Sequence, residues 1–114
     1  MITFSLFAGV WSEIRLDQTP SQVKRPGDSV KMSCTMSGFD MTKYYIHWVR
    51  QRPGKALEWI GRILSKPAGN EHYKDSLKNK FSISLASSSN TVTLTGQNVQ
   101  PEDTAVYYCA REPQ

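Results

Sequence analysis

Two cysteines, Cys34 and Cys109, and two histidines, His47 and His72, are the residues of this 114-residue chain whose types most readily carry chemistry. The cysteines stand 75 positions apart. Taken alone, they fit either buried free thiols or one bridge, and both readings stay open at this point. The histidines do not make a catalytic pattern. The chain contains no G-x-S-x-G elbow, no H-E-x-x-H pair and no glycine-rich phosphate loop. His47 sits beside Trp48, where packing or loop support suits an imidazole better than proton transfer does. Cysteines committed to a bridge would leave no thiolates for a zinc site. The expectation is therefore no metal, no cofactor and no enzyme activity. Asn70, Asn79, Asn90 and Asn98 all lack the hydroxyl residue two positions on that N-glycosylation needs.

The N-terminus decides the redox context of the cysteines. "MITFSLFAGVWS", residues 1–12, carries no charge and is mostly apolar. It is too short to span a bilayer. It is similar to the tail of a secretory signal, with Val10 and Ser12 as small residues before a cut, although the basic n-region is missing. An ordinary first strand is the alternative. On the signal reading, residues 1–12 are a partial leader and the domain runs over 13–114. The mature chain then begins near Glu13 in an oxidising compartment, where a disulfide is the expected state. Closing a loop of this length would stabilise the fold by about 3–5 kcal/mol.

Composition narrows the class further. With 39% hydrophobic and 21% charged residues, the chain reads as one globular domain rather than a disordered segment. A net charge of +4 is mild and scattered, without the dense basic stripe that nucleic acid requires, so no nucleic-acid partner is expected.

The elements that must position these residues are strands. Apolar residues alternate with period two and turn signals interrupt them at short intervals. In "SVKMSCTMS", Val30, Met32, Cys34 and Met36 fall on one face. In "KFSISL", Phe81, Ile83 and Leu85 point inward; in "NTVTLTG", Val92 and Leu94 do; in "TAVYYCA", Ala105, Tyr107 and Cys109 share a face. "RPGD", "RPGK", "KPAGN" and "ASSSN" supply turns, and "QPEDTA" a short helical turn opened by Pro101. Many short strands with regular turns point to an antiparallel β-sandwich.

One constellation is specific. Cys34 is followed fourteen residues later by Trp48, and much later by "DTAVYYC". In a sandwich, Cys34 and Cys109 would lie on opposite sheets, with the indole of Trp48 against their bridge. Tyr107 would send its hydroxyl back to upstream backbone as a tyrosine corner. Asp103 is placed to form a buried ion pair with Lys80.

With these residues the chain resembles an immunoglobulin variable domain. "WVRQRPGKALEWIG", "KFSIS" and "EDTAVYYCAR" are similar to an antibody heavy-chain variable region, and "EIRLDQTPSQVKRPGDSVKMSC" looks like a bony-fish heavy-chain segment. The resemblance covers about Glu13 to Arg111, and "GVWS" is similar to the end of the leader that precedes such segments. It implies an all-β, V-type immunoglobulin sandwich with Greek-key topology, two antiparallel sheets and the final strand missing. It also implies secretion or display at the cell surface as part of an immunoglobulin.

Three antigen-binding loops follow from the resemblance. The first holds Gly38, Phe39, Asp40, Met41, Thr42, Lys43, Tyr44 and Tyr45. The second holds Ile63, Leu64, Ser65, Lys66, Pro67, Ala68, Gly69, Asn70 and Glu71. The third begins at Ala110 and Arg111. Tyrosine anchors with adaptable Ser, Gly and Asn suit a binding surface. A second surface, implied to face a light-chain variable domain, would be built from Val49, Gln51, Leu57, Trp59 and Tyr108, an apolar outward patch of the kind that marks partners. The rival functions are a V-type domain of a T-cell or innate receptor and a non-productive segment.

Two departures from the pattern carry expectations. Gly96 stands where a large inward residue is usual, so a bulge or under-packing costing about 1–3 kcal/mol is expected there. No W-G-x-G strand follows Gln114, so the strand carrying Cys109 should keep an unpaired edge. The resemblance implies an ending like that of a germline variable segment, whose last strand would be added by recombination.

Overall fold

A computed structural model describes residues 2–4, 7–8, 15–19, 21–38, 44–64 and 71–111. Its strands are β1 (Ile2–Phe4), β2 (Phe7–Ala8), β3 (Arg15–Gln18), β4 (Val30–Ser37) and β5 (Ile46–Gln51). They continue as β6 (Leu57–Ile63), β7 (Glu71–Tyr73), β8 (Phe81–Ala86), β9 (Thr91–Gly96) and β10 (Ala105–Arg111). Short 3₁₀ turns cover Ser87–Ser89 and Pro101–Asp103. One sheet runs β1-β10-β5-β6-β7 and the other β2-β3-β4-β9-β8. The all-β sandwich is the expected one.

Period-two alternation builds the core. In β4, Val30, Met32, Cys34 and Met36 are buried while Lys31, Thr35 and Ser37 face water. In β10, Ala105, Tyr107 and Cys109 are buried. Cys34 and Cys109 are joined across the two sheets, with their Cα atoms 6.4 Å apart. Trp48 pairs directly with Cys109 across β5 and β10, and is fully buried there. Its Nε1 has no hydrogen-bond partner among the described residues. Leaving that donor unpaired costs on the order of 1–3 kcal/mol, set against full burial of the indole.

Strands β5 and β6 do not pair in a continuous register. Trp48 opposes Gly61 whereas Val49 opposes Trp59, so Ile60 is an extra residue on β6. This bulge buries Ile60 and Gly61 in succession and shifts the phase of the strand. Glycine is required at its second position. A Cβ on Gly61 would lie 2.7 Å from the His72 carbonyl oxygen and 2.9 Å from Tyr73 Cδ1.

Two expectations are corrected. Gly96 leaves neither a bulge nor a hole. It stays in register with Val30 on one side and Phe81 on the other, and both side chains close over it. A Cβ there would meet Phe81 Cε1 at 3.0 Å and Val30 Cγ1 at 3.2 Å, so the large residue expected on β9 is replaced by its neighbours. Nor is the outer edge of β10 left open along its length. Ile2–Phe4 pairs with Ala105–Tyr107, and the Gln18 side chain donates through Nε2 to the Tyr107 carbonyl at 2.9 Å while its Oε1 accepts from Cys109 N–H at 3.3 Å. Backbone groups at a sheet edge next to the core need such partners. The two sheets are antiparallel as expected, with β1 added to one of them parallel to β10. The N-terminal apolar stretch thus contributes strands to both sheets, β1 to one and β2 to the other.

Candidate functional site

Strands β5, β6 and β10 carry two groups of polar side chains, one turned inward near one end of the sheet and one turned outward near the other. The inward group is built on Arg50, which is only 4% exposed. Alternation from Trp48 sends it into the core. It donates through Nε to Glu58 Oε1 at 2.8 Å, and through Nη1 to Asp103 Oδ1 at 3.0 Å and Tyr107 Oη at 3.2 Å. Lys80 takes the second Asp103 oxygen, Oδ2, and Lys74 takes Glu58 Oε2 at 2.8 Å. Tyr107 donates its own hydroxyl proton to the Asp103 carbonyl at 2.7 Å, closing the tyrosine corner. Gln100 N–H adds a bond to Asp103 Oδ2 at 2.9 Å.

The ionisation of this group follows from these contacts. Burial alone would raise the Asp103 pKa, but Lys80, the Gln100 amide and Arg50 outweigh it and hold the carboxyl below its ordinary value. Glu58 is also lowered, because Lys74 and Arg50 outweigh its burial. Arg50 resists the lowering effect of burial through its bonds to Tyr107, Glu58 and Asp103, and its pKa is raised. Burial raises Tyr107 despite Arg50. Every charge has an opposite partner, so the group can lock the sheets together but offers no reactive centre.

The outward face presents Val49 opposite both Tyr108 and Trp59, and Gln51 opposite Leu57. Directly opposed residues share a face. Leu57 is 62% exposed; Val49, Trp59 and Tyr108 are half-buried. Gln51 donates to the Lys55 carbonyl at 3.0 Å. Further along, Ala110, His47, Arg62 and His72 form a row across four strands. Trp59 Nε1 donates to His47 Nδ1 at 2.9 Å. The guanidinium carbon of Arg62 lies 4.2 Å over the Tyr45 ring, and that of Arg111 4.4 Å over Tyr44. Among the described residues no group of three or more His, Cys, Asp or Glu is placed to hold a metal ion.

A sandwich pinned by an inter-sheet disulfide, covered by Trp48 and closed by the Tyr107 corner is the arrangement of one family, and the sequence profile described as the immunoglobulin V-set domain matches residues 18–114. The chain belongs to the immunoglobulin V-set family. V-set domains are binding modules that mediate protein–protein recognition, typically outside the cell or at its surface. No helix among the described residues is long and apolar enough to cross a membrane.

Within this V-set domain, the residues expected in the loops fall in different places. Phe39 to Lys43 and Ser65 to Asn70 lie outside the described residues. Gly38, Tyr44, Tyr45 and Leu64 flank those segments at the same end of the sandwich. Ile63 is corrected. It ends β6 at 6% exposure with its side chain in the core, because the bulge at Ile60 puts Gly61 inward, Arg62 outward and Ile63 inward again. Glu71 begins β7, and Ala110 and Arg111 still belong to β10, so the third loop starts beyond them.

Three residues of the V-set domain escaped the sequence reading. Arg50 carried a readable signal, since the alternation that turns Trp48 inward turns Arg50 inward two positions later. Glu58, its cross-strand partner, follows once β5 is paired with β6. Arg62 carried none, because its outward orientation depends on the bulge.

Proposed function

We propose that this V-set domain is the variable segment of an antibody heavy chain, binding antigen at its loop end and pairing with a light-chain variable domain through the outward face of β5, β6 and β10. The observation that carries the reading is the apolar row Val49, Trp59 and Tyr108, continued by exposed Leu57, on a sheet whose other face already lines the core. A patch of this composition is what a partner covers. The "WVRQRPGKALEWIG" wording favours a heavy chain over other V-type receptors. Antigen recognition then takes place on Tyr44, Tyr45 and the loop residues around them, with rigid aromatic anchors and flexible polar neighbours. Secretion or surface display follows from the same reading; with residues 1–12 cut as leader, the mature domain would lack β1 and β2.

The test is mixing the full chain with a light-chain variable domain and measuring mass and affinity in solution. A one-to-one complex is expected, with Leu57→Arg weakening it at least about tenfold, as loss of an apolar interface contact does. The unfolding temperature of the variant should be unchanged. Absence of a complex, or unchanged pairing of Leu57→Arg, overturns the heavy-chain assignment in favour of another V-type receptor.

A further inference from the structure

The outward row at the loop end has a chemistry of its own. Ala110 opposes His47, His47 opposes Arg62, and Arg62 opposes His72, so four adjacent strands place these side chains on one face. Both histidines of the chain stand in this row, on either side of an arginine. Arg62 has no ion pair among the described residues, and its Nε is buried without a hydrogen-bond partner. A buried donor in that state is a feature to be explained. Its guanidinium carbon lies 4.2 Å over the Tyr45 ring, and a guanidinium held against an aromatic face is suited to receive an oxyanion.

The neighbours add donors rather than acceptors. An indole N–H only donates, so the Trp59 bond to His47 Nδ1 puts the imidazole proton on Nε2. His72 is exposed. From β5 the row is faced by His47, with Tyr45 just before that strand, from β6 by Trp59 and Arg62, from β7 by His72, and from β10 by Ala110. The nearest carboxylates on these strands are turned elsewhere. Glu71 opposes the inward Ile63, and Glu58 is held by Arg50 and Lys74.

We propose that His47, Arg62 and His72 form an oxyanion-binding floor at the loop end, which takes a carboxylate or phosphate group of the antigen. The antigen setting rests on the function proposed above; the anion chemistry does not, and it is tested separately. The full chain, isotope-labelled, is titrated with a tetraglutamate peptide, with a phosphoserine peptide of equal length and with tetralysine, while the Arg62, His47 and His72 resonances are followed. Acidic peptides are expected to shift these three residues, and the tighter of the two identifies the source of the oxyanion. Arg62→Gln should weaken binding at least about tenfold, the worth of a charge-assisted bond, and Arg62→Lys should fall between it and the parent because it lacks the fork. Equal binding of tetralysine, no response at Arg62 to either acidic peptide, or undiminished binding by a folded Arg62→Gln overturns the floor. Light-chain pairing measured on the same samples separates the two claims. Anion binding without pairing keeps the floor and removes the heavy-chain reading, and pairing without anion binding does the reverse.

Discussion

Arg50 and Arg62 lie on neighbouring strands of one sheet, and the protein treats them in opposite ways. Arg50 is buried, forked between Glu58 and Asp103, and touches the Tyr107 hydroxyl. Arg62 is half-exposed, rests on the Tyr45 ring and has no carboxylate among the described residues. The first guanidinium is held inside the fold, tied to Glu58 and Tyr107 of its own sheet and to Asp103 in the turn before β10. The second has no ion pair among the described residues, and the proposed oxyanion floor is built on it. In a V-set domain this difference separates scaffold from recognition surface more sharply than exposure alone, since neither arginine is fully exposed.

The largest break in this comparison comes from removing each arginine in turn. Arg50→Met would leave the buried Asp103 carboxylate with Lys80 and the Gln100 amide, and Glu58 with Lys74 and the more distant Arg52. Stripping one member from a buried ionic group costs about 3–5 kcal/mol. Arg62→Gln should change stability by no more than about 0.5 kcal/mol, as outward substitutions do. Denaturant unfolding of both variants checks the contrast, and equal losses would erase the distinction between tie and surface.

A smaller effect sharpens the boundary of the inner region. Phe81 lies under Arg50, with the guanidinium carbon 5.5 Å from its ring centroid, and 6.1 Å from the Tyr107 ring. The same Phe81 closes over Gly96. Gly96→Leu, which the sequence pattern suggests as a repair, should therefore drive Phe81 against Arg50 and Tyr107. A loss of about 1–3 kcal/mol is expected from such overpacking. A gain in unfolding temperature would show that the site is a true cavity.

The legibility of the fold and the site in the sequence divides along similar lines. Val30, Met32, Cys34 and Met36 announce a half-buried strand because each residue's face follows from its neighbours'. The Cys34, Trp48, Tyr107 and Cys109 set is legible because their types are scarce and their jobs narrow. Arg50 was legible in principle from the phase of Trp48. Arg62 and Ile63 were not, because Ile60 inserts into β6 and reverses the phase, and a bulge has no mark in the local pattern beyond Gly61. Gly96 misled because its space is filled from β4 and β8, which a reading of one strand cannot see. The pairing of Ile2–Phe4 with β10 joins opposite ends of the chain, and period-two patterns say nothing about which strands meet. The loop-end chemistry depends on cross-strand rows, so it became readable only with the register.

The smallest expected effect is the pH dependence of the inner group. Asp103 and Glu58 both titrate below their ordinary values in the fold, against the pull of burial, because cations and the Gln100 amide favour their charged forms. A carboxyl with a depressed folded pKa stabilises above its unfolded pKa, and that stability is lost as pH falls through the folded value. The unfolded values lie at roughly 4, so the unfolding temperature should be level between about pH 5 and 8 and fall progressively below about pH 4.5. Tyr107 has the opposite sign. Its folded pKa is raised, so its contribution is complete below roughly pH 10 and lost above it. Glu58→Gln lowers overall stability but should make the acid limb shallower, while Arg62→Gln should leave its shape untouched. Calorimetric melts of the three proteins from pH 7 down to pH 3 decide the matter. An acid limb of the same slope in Glu58→Gln would mean that the buried ties do not set the acid response, and the contrast between the two arginines would then rest on packing rather than on charge.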